Sequence, residues 1–580
     1  MDGFSQPAGV DVAAQCFLNA LLRETRDWNY VAGGAPERTH FIDLPLSSSQ
    51  VLRLPLRYFS PTQHHHYQFP ALLISPTSPE GEAVSFDTLV SLIVAKPTIR
   101  AELSGEVIER FQQRVGESHA NCWQAINLRH RWPALRKKPL SFSEAEQALL
   151  VGHAFHPAPK SHEPFNEAEA RRYLPEFASD FPLHWFSVDS DHVAGESLGL
   201  TLRARLLRFA AQSAPALLSQ FTDQRWLIPM HPWQARYLLT QAWCQRLIAS
   251  GALADLGESG TAWLPTSSSR SLYSPASNDM IKFSLSVRLT NSVRTLSVKE
   301  VKRGMRLARL AQTPRWQRLQ MDYPSLRVMQ EDGWAGLRAA DGAIQEESLM
   351  AFRVNSLFDT PETQTNVLVS LTQAAPDGGD SLLAAAVRRL SHRLGLTLSQ
   401  GAQCWVNAYC DRVLLPLFAT EANYGLVLLA HQQNILVEMQ QDLPVGLLYR
   451  DCQGSGFTEN AADWLAQIDE TDAENCFSRE QVLRYFPYYL LVNSTLAVTA
   501  ALGAAGFETE ERLMAQVRDR LTALRSQVSD TRSLDYVLDS RHWNCKGNFY
   551  CYLYDHNENT IADPAVIYFD FHNPFYREKP

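Results

Sequence analysis

The sequence predicts a mixed α+β protein built from several subdomains. Three observations carry this: period-two strand patterns alternate with amphipathic helical stretches along the whole chain, long apolar helices crowd its last third, and 580 residues exceed what one simple core accommodates. A length prior puts the number of domains at three or four. Apolar residues make up 45% and charged residues 20%, an ordinary globular balance. The formal net charge of -9 argues against general nucleic-acid binding, which calls for a basic footprint.

Taken in order, residues 11–24 place Val12, Phe17, Leu18 and Leu21 on one face of an opening helix. Thr39 to Phe59 and Tyr67 to Ser75 read as strands of a small sheet. From Phe86 to Leu150 the pattern is helical, and the Pro- and His-rich HAFHPAPKSHEPF that follows reads as an ordered loop. The middle third mixes short strands with helices such as Pro232 to Ala249. TQAAPDGGDS is expected to be an exposed turn, and Tyr424 to Glu438 and Leu443 to Asp451 read as two strands among the late helices. Tyr485 to Phe507 carries no charge, but Pro487, Asn493, Ser494, Thr495 and Thr499 favour a buried helix over a membrane span. Nine scattered cysteines without C-x-x-C, and an N-terminus without a basic and apolar leader, predict reduced thiols and a cytoplasmic protein.

Charge concentrates in Ser267 to Arg303, where seven basic residues face only Asp279 and Glu300. Phe283, Leu285, Val287 and Leu289 alternate with Lys282, Ser284, Ser286, Arg288 and Thr290, predicting one strand with a buried and a polar face and a bend near Thr290. Ser297 and Glu300 form a capping box that opens a helix. Such a face is commonly just solvated, but a solvated face mixes its signs and this one barely does. Ser268, Arg270, Ser271 and Lys282 therefore form a candidate cradle for a triphosphate, with arginine forks and serine hydroxyls as its donors. Neither a P-loop nor a dinucleotide-binding glycine fingerprint occurs.

Three further groups are candidates. His153, His156, Lys160 and His162 suit anion contact, with a proline-fixed structural loop as the alternative. His431, Asn434 and Asp451, at the ends of apolar strands, resemble the way phosphoryl-transfer enzymes hold Mg²⁺ on a nucleotide, and Asp451 is the candidate metal ligand. Lys546, before Gly547 in an aromatic strand, is a candidate buried anion contact. A kinase-like phosphotransferase and a non-catalytic anion-binding protein both remain open on these residues alone.

Together H-P-A-P-K (156–160), H-P-W-Q (231–234), S-S-R-S (268–271), K-F-S-L-S-V-R-L-T-N-S-V-R-T (282–295), A-H-Q-Q-N (430–434) and R-D-x-Q-G (450–454) resemble the IucA/IucC family, the nonribosomal-peptide-synthetase-independent siderophore synthetases. VGHAFHPAPKSHEPF, TNVLVSLTQAAPDGGDSLL and DHNENTI are most similar to the branch that joins citrate to N6-acetyl-N6-hydroxylysine for aerobactin. The resemblance implies a cradle of thumb (1–165), fingers (166–395) and palm (396–580), and a homodimer. It also implies ATP on His156, Lys160, Ser268, Arg270, Ser271, Lys282 and Asn434. Citrate would lie on Thr290, Arg294, His431 and Lys546, with Arg294 and His431 catalytic and Mg²⁺ on Asp451. Ser271 stands where many relatives carry Thr. The implied chemistry is citrate adenylation followed by attack of an amine; a same-family enzyme using another amine or a citryl monoamide would keep every motif quoted. Arg288 receives no role.

Overall fold

The computed structural model describes residues 9–33, 40–101, 103–128, 132–290, 292–357, 364–470, 473–556 and 564–577. Thr39, Asn291 and the NENTI portion of DHNENTI lie outside the described residues.

The opening helix spans Val12–Glu24, capped by Asp11, whose side chain accepts the Ala14 N–H at 2.9 Å. Phe17, Leu18, Leu21 and Leu22 are fully buried because the helix is covered on more than one side. A six-stranded antiparallel sheet from the predicted region lies on one side, and Phe549 packs edge-on to Phe17 at 5.4 Å on another. The end of the chain thus returns to the first core, joining residues that a division by sequence position separates.

An eight-stranded antiparallel sheet follows, its centre formed by Ser271–Tyr273, Asp279–Phe283 and Ile344–Val354. Here the single strand expected from Lys282 to Leu289 is two. Asp279–Phe283 belongs to the large sheet, whereas Leu285–Leu289 pairs with Ser292–Arg294 and His162–Glu163 in a second, three-stranded sheet. The crossover residue is Ser284, whose N–H donates to Leu349 O (2.8 Å) and whose hydroxyl donates to Glu346 O (2.6 Å) and accepts the Leu296 N–H (2.8 Å). The parity survives because Phe283, Leu285 and Val287 all enter one core. Lys282 and Ser284, expected on a polar face, are buried. The bend at Thr290 is observed as a left-handed residue, φ 57°, between the paired Leu289 and Ser292. Gln234 of the H-P-W-Q motif accepts the Ser286 N–H at 2.7 Å and donates to Glu347 O, filling in beside the strand.

Other expectations are corrected. Pro232 to Ala249 is two helices, Pro232–Leu239 and Ala242–Ala249. Tyr424 to Glu438 is not one strand: Leu426–Leu428 and Ile435–Gln440 lie in different sheets, and A-H-Q-Q-N is the loop that carries the chain between them. The second of these joins a four-stranded sheet with Gln364–Val367, Leu443–Tyr449 and Leu326–Val328, so strands from both sides of residue 395 share it. TQAAPDGGDS is largely covered, with Arg57 donating to Gly378 O (2.6 Å) and Arg136 paired with Asp377. Tyr485 to Phe507 is an α-helix interrupted by a π-helical segment, Tyr488–Thr495, and among the described residues no helix is long and apolar enough to cross a membrane.

The capping box is formed: Ser297 accepts the Glu300 N–H (3.2 Å) and Glu300 accepts the Ser297 N–H (2.8 Å). Replacing Ser297 with alanine is expected to lower stability by about 1 kcal/mol, read as a lower urea midpoint with an unchanged slope.

Candidate active site

Segments of and next to the eight-, four- and three-stranded sheets meet around a cavity of ≈ 330 Å³. Every residue predicted for ATP, citrate or metal lines it: His156, Lys160, Ser268, Arg270, Ser271, Lys282, Thr290, Arg294, His431, Asn434, Asp451 and Lys546. The sequence separates these groups by hundreds of residues; the fold brings them into the lining of one cavity.

The serine loop is a tight turn closed by Thr266 N–H to Ser271 O (2.9 Å) and Ser269 N–H to Thr266 O (2.8 Å), with Ser269 left-handed at φ 62°. Its neighbour Ser267 is fixed from outside. Glu146 accepts the Ser267 N–H at 2.8 Å and pairs with Arg450 at 2.8 Å, both side chains buried. Arg450 also donates to Ser267 Oγ (3.0 Å) and to Gln433 O (2.9 Å). One buried pair thereby ties the serine loop, the A-H-Q-Q-N loop and the helix Phe142–Gln147 together.

Cations dominate the lining. Lys282 Nζ donates to Asp451 Oδ1 at 2.5 Å, and Asn434 Nδ2 lies 3.4 Å from Asp451 Oδ2. Burial would raise the Asp451 pKa, but Lys282 and Arg353 beside it hold it well below the usual carboxylate range. Asp451 follows the strand Leu443–Tyr449 in a left-handed conformation, φ 81°, which turns its carboxylate inward. An ionised carboxylate is the donor chemistry a hard divalent cation takes, and Asn434 turns its NH2, not its amide oxygen, toward it. Arg353 pairs with buried Glu331 at 2.5 Å. Burial lowers the Arg270 pKa and, with the nearby Arg270 charge, lowers that of Arg294 to about 10. Arg270 donates to the carbonyls of Arg294 (2.9 Å) and Thr295 (3.1 Å). Arg294 donates to Leu289 O (3.2 Å) and Thr290 Oγ1 (3.3 Å), while its Nε is buried without a partner. Lys160 donates to Leu149 O (2.8 Å) and lies 3.2 Å from Glu176.

Two cavity histidines are fixed in one tautomer. His156 Nδ1 accepts the Ala158 N–H (3.0 Å) and His431 Nδ1 accepts the Gln433 N–H (3.3 Å), so Nε2 is the ring donor of each. Burial, reinforced by Arg450, Arg294 and Lys546 against the opposing Asp451, lowers the His431 pKa to about 4. Burial and neighbouring His156 lower that of His153 to about 3.

Arg288, unassigned from sequence, pairs with Asp555 at 2.8 Å, and Arg114 bridges Asp555 to Glu163. It fastens the three-stranded sheet to the end of the chain. Sequence reading missed Arg353, Glu331, Glu146, Tyr489 and Asn493. Arg450 stood inside a quoted motif without a role. Asn493 and Tyr489 lie in the π-helical segment, a local widening that frequently accompanies functional sites. Asn493 Oδ1 accepts the Gln432 N–H (3.2 Å), and Tyr489 packs on His431 with ring centres 5.8 Å apart.

A cation-rich cavity whose lining holds only the acids Asp451 and Glu176 among the described residues defines a binder of small polyanions. The chain belongs to the IucA/IucC family: the family profile, described as IucA / IucC family, matches residues 141–373, and full-length family relatives align with it. A second profile, described as ferric iron reductase FhuF-like transporter, matches residues 403–561. The N(2)-citryl-N(6)-acetyl-N(6)-hydroxylysine synthase of Escherichia coli is 61% identical over 99% of both chains. The synthase of the same name from Vibrio mimicus is 40% identical, covering 97% of this chain and 95% of the relative. The solved structure of ATP-bound aerobactin synthetase IucA from Klebsiella pneumoniae superposes with a TM-score of 0.94 at 63% identity, covering 98% of this chain and 100% of that one.

The depressed histidine pKa values carry a sign. The histidines of the unfolded chain take up protons near the ordinary value of 6.5, while folded His431 and His153, with His65 and His231 elsewhere, stay neutral to about 3 or 4. Stability is therefore expected to be unaffected by these groups above pH 6.5 and to fall as pH drops from 6.5 toward 4. Urea midpoints measured across that range check it.

Proposed function

We propose that the chain is an ATP-dependent ligase of aerobactin biosynthesis that adenylates a terminal carboxylate of citrate and condenses it with the α-amine of N6-acetyl-N6-hydroxylysine. The observation that carries the reading is the convergence of the serine loop, Lys282, Arg294, His431 and the Asp451–Asn434 pair on one cavity, in a chain 61% identical over its length to a synthase named for that product. The thumb, fingers and palm division, the homodimer and the cytoplasmic location belong to the proposal; the nine free thiols suit the last.

On this reading Ser268, Arg270, Ser271 and Lys282 hold the nucleotide, with His156 and Lys160 near its phosphates. Thr290, Arg294, His431 and Lys546 hold citrate. His431 donates from Nε2 without adding charge, and Arg294 offers a desolvated guanidinium whose ordinary partner is a carboxylate. Asp451 would hold Mg²⁺, with Asn434 close to the nucleotide, and the ion would supply positive charge that offsets the leaving pyrophosphate. The carboxylate oxygen bonds to the α-phosphorus as the bond to the bridging oxygen breaks, and pyrophosphate leaves with that electron pair. The α-amine then bonds to the acyl carbon of citryl-adenylate, AMP leaves, and the nitrogen loses a proton. Holding two polyanions in line is most of the work, which the opposed cations of the cavity serve.

Arg294→Ala is expected to reduce citrate-dependent pyrophosphate release by about 100-fold or more with a melting temperature near that of the unaltered protein. Near-normal release would remove Arg294 from the site. A product assay separates the kinase-like reading: AMP and pyrophosphate are expected, and ADP would overturn the proposal. Supplying a panel of amines with citrate and ATP and weighing the products checks the acceptor, the N6-acetyl-N6-hydroxylysine adduct being expected in excess.

A further inference from the structure

The last turn of the opening helix reaches two walls of the cavity through consecutive residues. Arg23 and Glu24 are both internal, although charged side chains are rarely buried without a specific partner. The Arg23 guanidinium lies over the Phe155 ring, 3.0 Å from its centre, inside the loop that presents His153 and His156 to the cavity. The Arg23 side chain also donates to Thr62 O at 3.0 Å.

Glu24 reaches the turn that follows Lys546. Its Oε1 accepts the N–H groups of Asn548 (2.5 Å) and Phe549 (2.6 Å), and its Oε2 accepts that of Tyr550 (3.0 Å). Three consecutive backbone donors on one carboxylate fix the path of the chain immediately after Lys546 and Gly547. Lys546 ends the strand His542–Lys546, pairs there with Tyr568, and lines the cavity together with Asn548. Gly547 is the residue between them, and its lack of a side chain has a local reason. A Cβ at that position would stand 2.8 Å from Glu24 Oε2 and 3.3 Å from Ile567 O. The close approach of the carboxylate and the glycine therefore require one another.

We propose that Glu24 is a positioning residue for the acyl-donor side of the cavity: by gripping the backbone of residues 548–550 it sets where Lys546 and Asn548 meet the substrate carboxylates. The inference rests on the assignment of Lys546 to citrate. Glu24 itself touches no substrate; it acts through the turn it holds. Two neighbouring side chains of one helix thus brace the histidine loop and the lysine turn, which sequence distance alone leaves unrelated.

Glu24→Gln keeps the shape and replaces one acceptor oxygen by an NH2 that opposes a backbone donor. In steady-state assays of the full chain it is expected to raise KM for citrate roughly tenfold, the scale of one charge-assisted contact, while KM for ATP stays within about twofold. Glu24→Asp is expected to recover part of that loss. Should Glu24→Gln fail to fold, Gly547→Ala, which pushes on the same contact from the other side, is expected to show the same selective rise. In the Lys546→Ala background Glu24→Gln is expected to add less than about twofold, because the two act in series. A citrate KM that responds to Lys546→Ala but not to Glu24→Gln or Gly547→Ala overturns the positioning role alone. Equal rises in both KM values also overturn it, by showing a general structural defect. An unchanged citrate KM in Lys546→Ala overturns the assignment of Lys546, and with it the route by which Glu24 acts.

Discussion

The constraint on which the structure depends is electrostatic: Arg270, Lys282, Arg294, Arg353 and Arg450 crowd one cavity. Two like charges about 4 Å apart repel by about 4 kcal/mol at an effective dielectric near 20, so such a cluster folds only if anions are built in beside it. Three carboxylates do this. Asp451 takes Lys282, Glu331 takes Arg353, and Glu146 takes Arg450. Arg270 and Arg294 are the exceptions: Arg270 donates to the backbone carbonyls of Arg294 and Thr295, and Arg294 donates to Leu289 O and Thr290 Oγ1 with its Nε left bare. A guanidinium in that state is stabilised by whatever carboxylate arrives.

The same pairs determine the geometry. Glu146–Arg450 is a knot as well as a neutralised pair, because each partner also bonds the serine loop, and Arg450 reaches Gln433 O. Breaking a buried pair by removing one partner leaves an uncompensated charge. Here it would also release the loop that carries Ser268, Arg270 and Ser271. Stability and site shape thus rest on the same few contacts.

Much of this was legible from residues. The excess of unbalanced cations between Ser267 and Arg303, the turn at Thr290 and the Ser297–Glu300 box follow from local rules, and the structure contains each. The quoted motifs led to side chains that line one cavity. What was illegible needs tertiary pairing. A period of two says which side chains are buried, not which strands they hydrogen-bond, so the switch of sheet at Ser284 left no mark in the pattern. A-H-Q-Q-N lies between two apolar strands and read as part of one, because its polar groups sit where a strand end would put them. Glu146, Glu331 and Arg353 are single charges in ordinary surroundings, and only their burial against partners far along the chain distinguishes them. The π-helical turn that delivers Tyr489 and Asn493 has no period of its own to detect.

The two halves of the cavity are also mechanically joined. Arg270, on the serine-loop side, donates to the carbonyls of Arg294 and Thr295, which begin the exit from the Thr290 hairpin. A nucleotide phosphate that competes for the Arg270 guanidinium would draw on the same donors that tether Arg294. The left-handed Thr290 gives that hairpin a fixed bend, so any shift of Arg294 has to come from its outgoing strand, which is short and pairs with only one neighbour. Arg294 therefore sits on a short edge strand whose last carbonyl the Arg270 guanidinium holds. On the proposed assignment of Arg270 to the nucleotide and Arg294 to citrate, the two sites share a tether, a contact between distant loops that the charge pattern alone does not show.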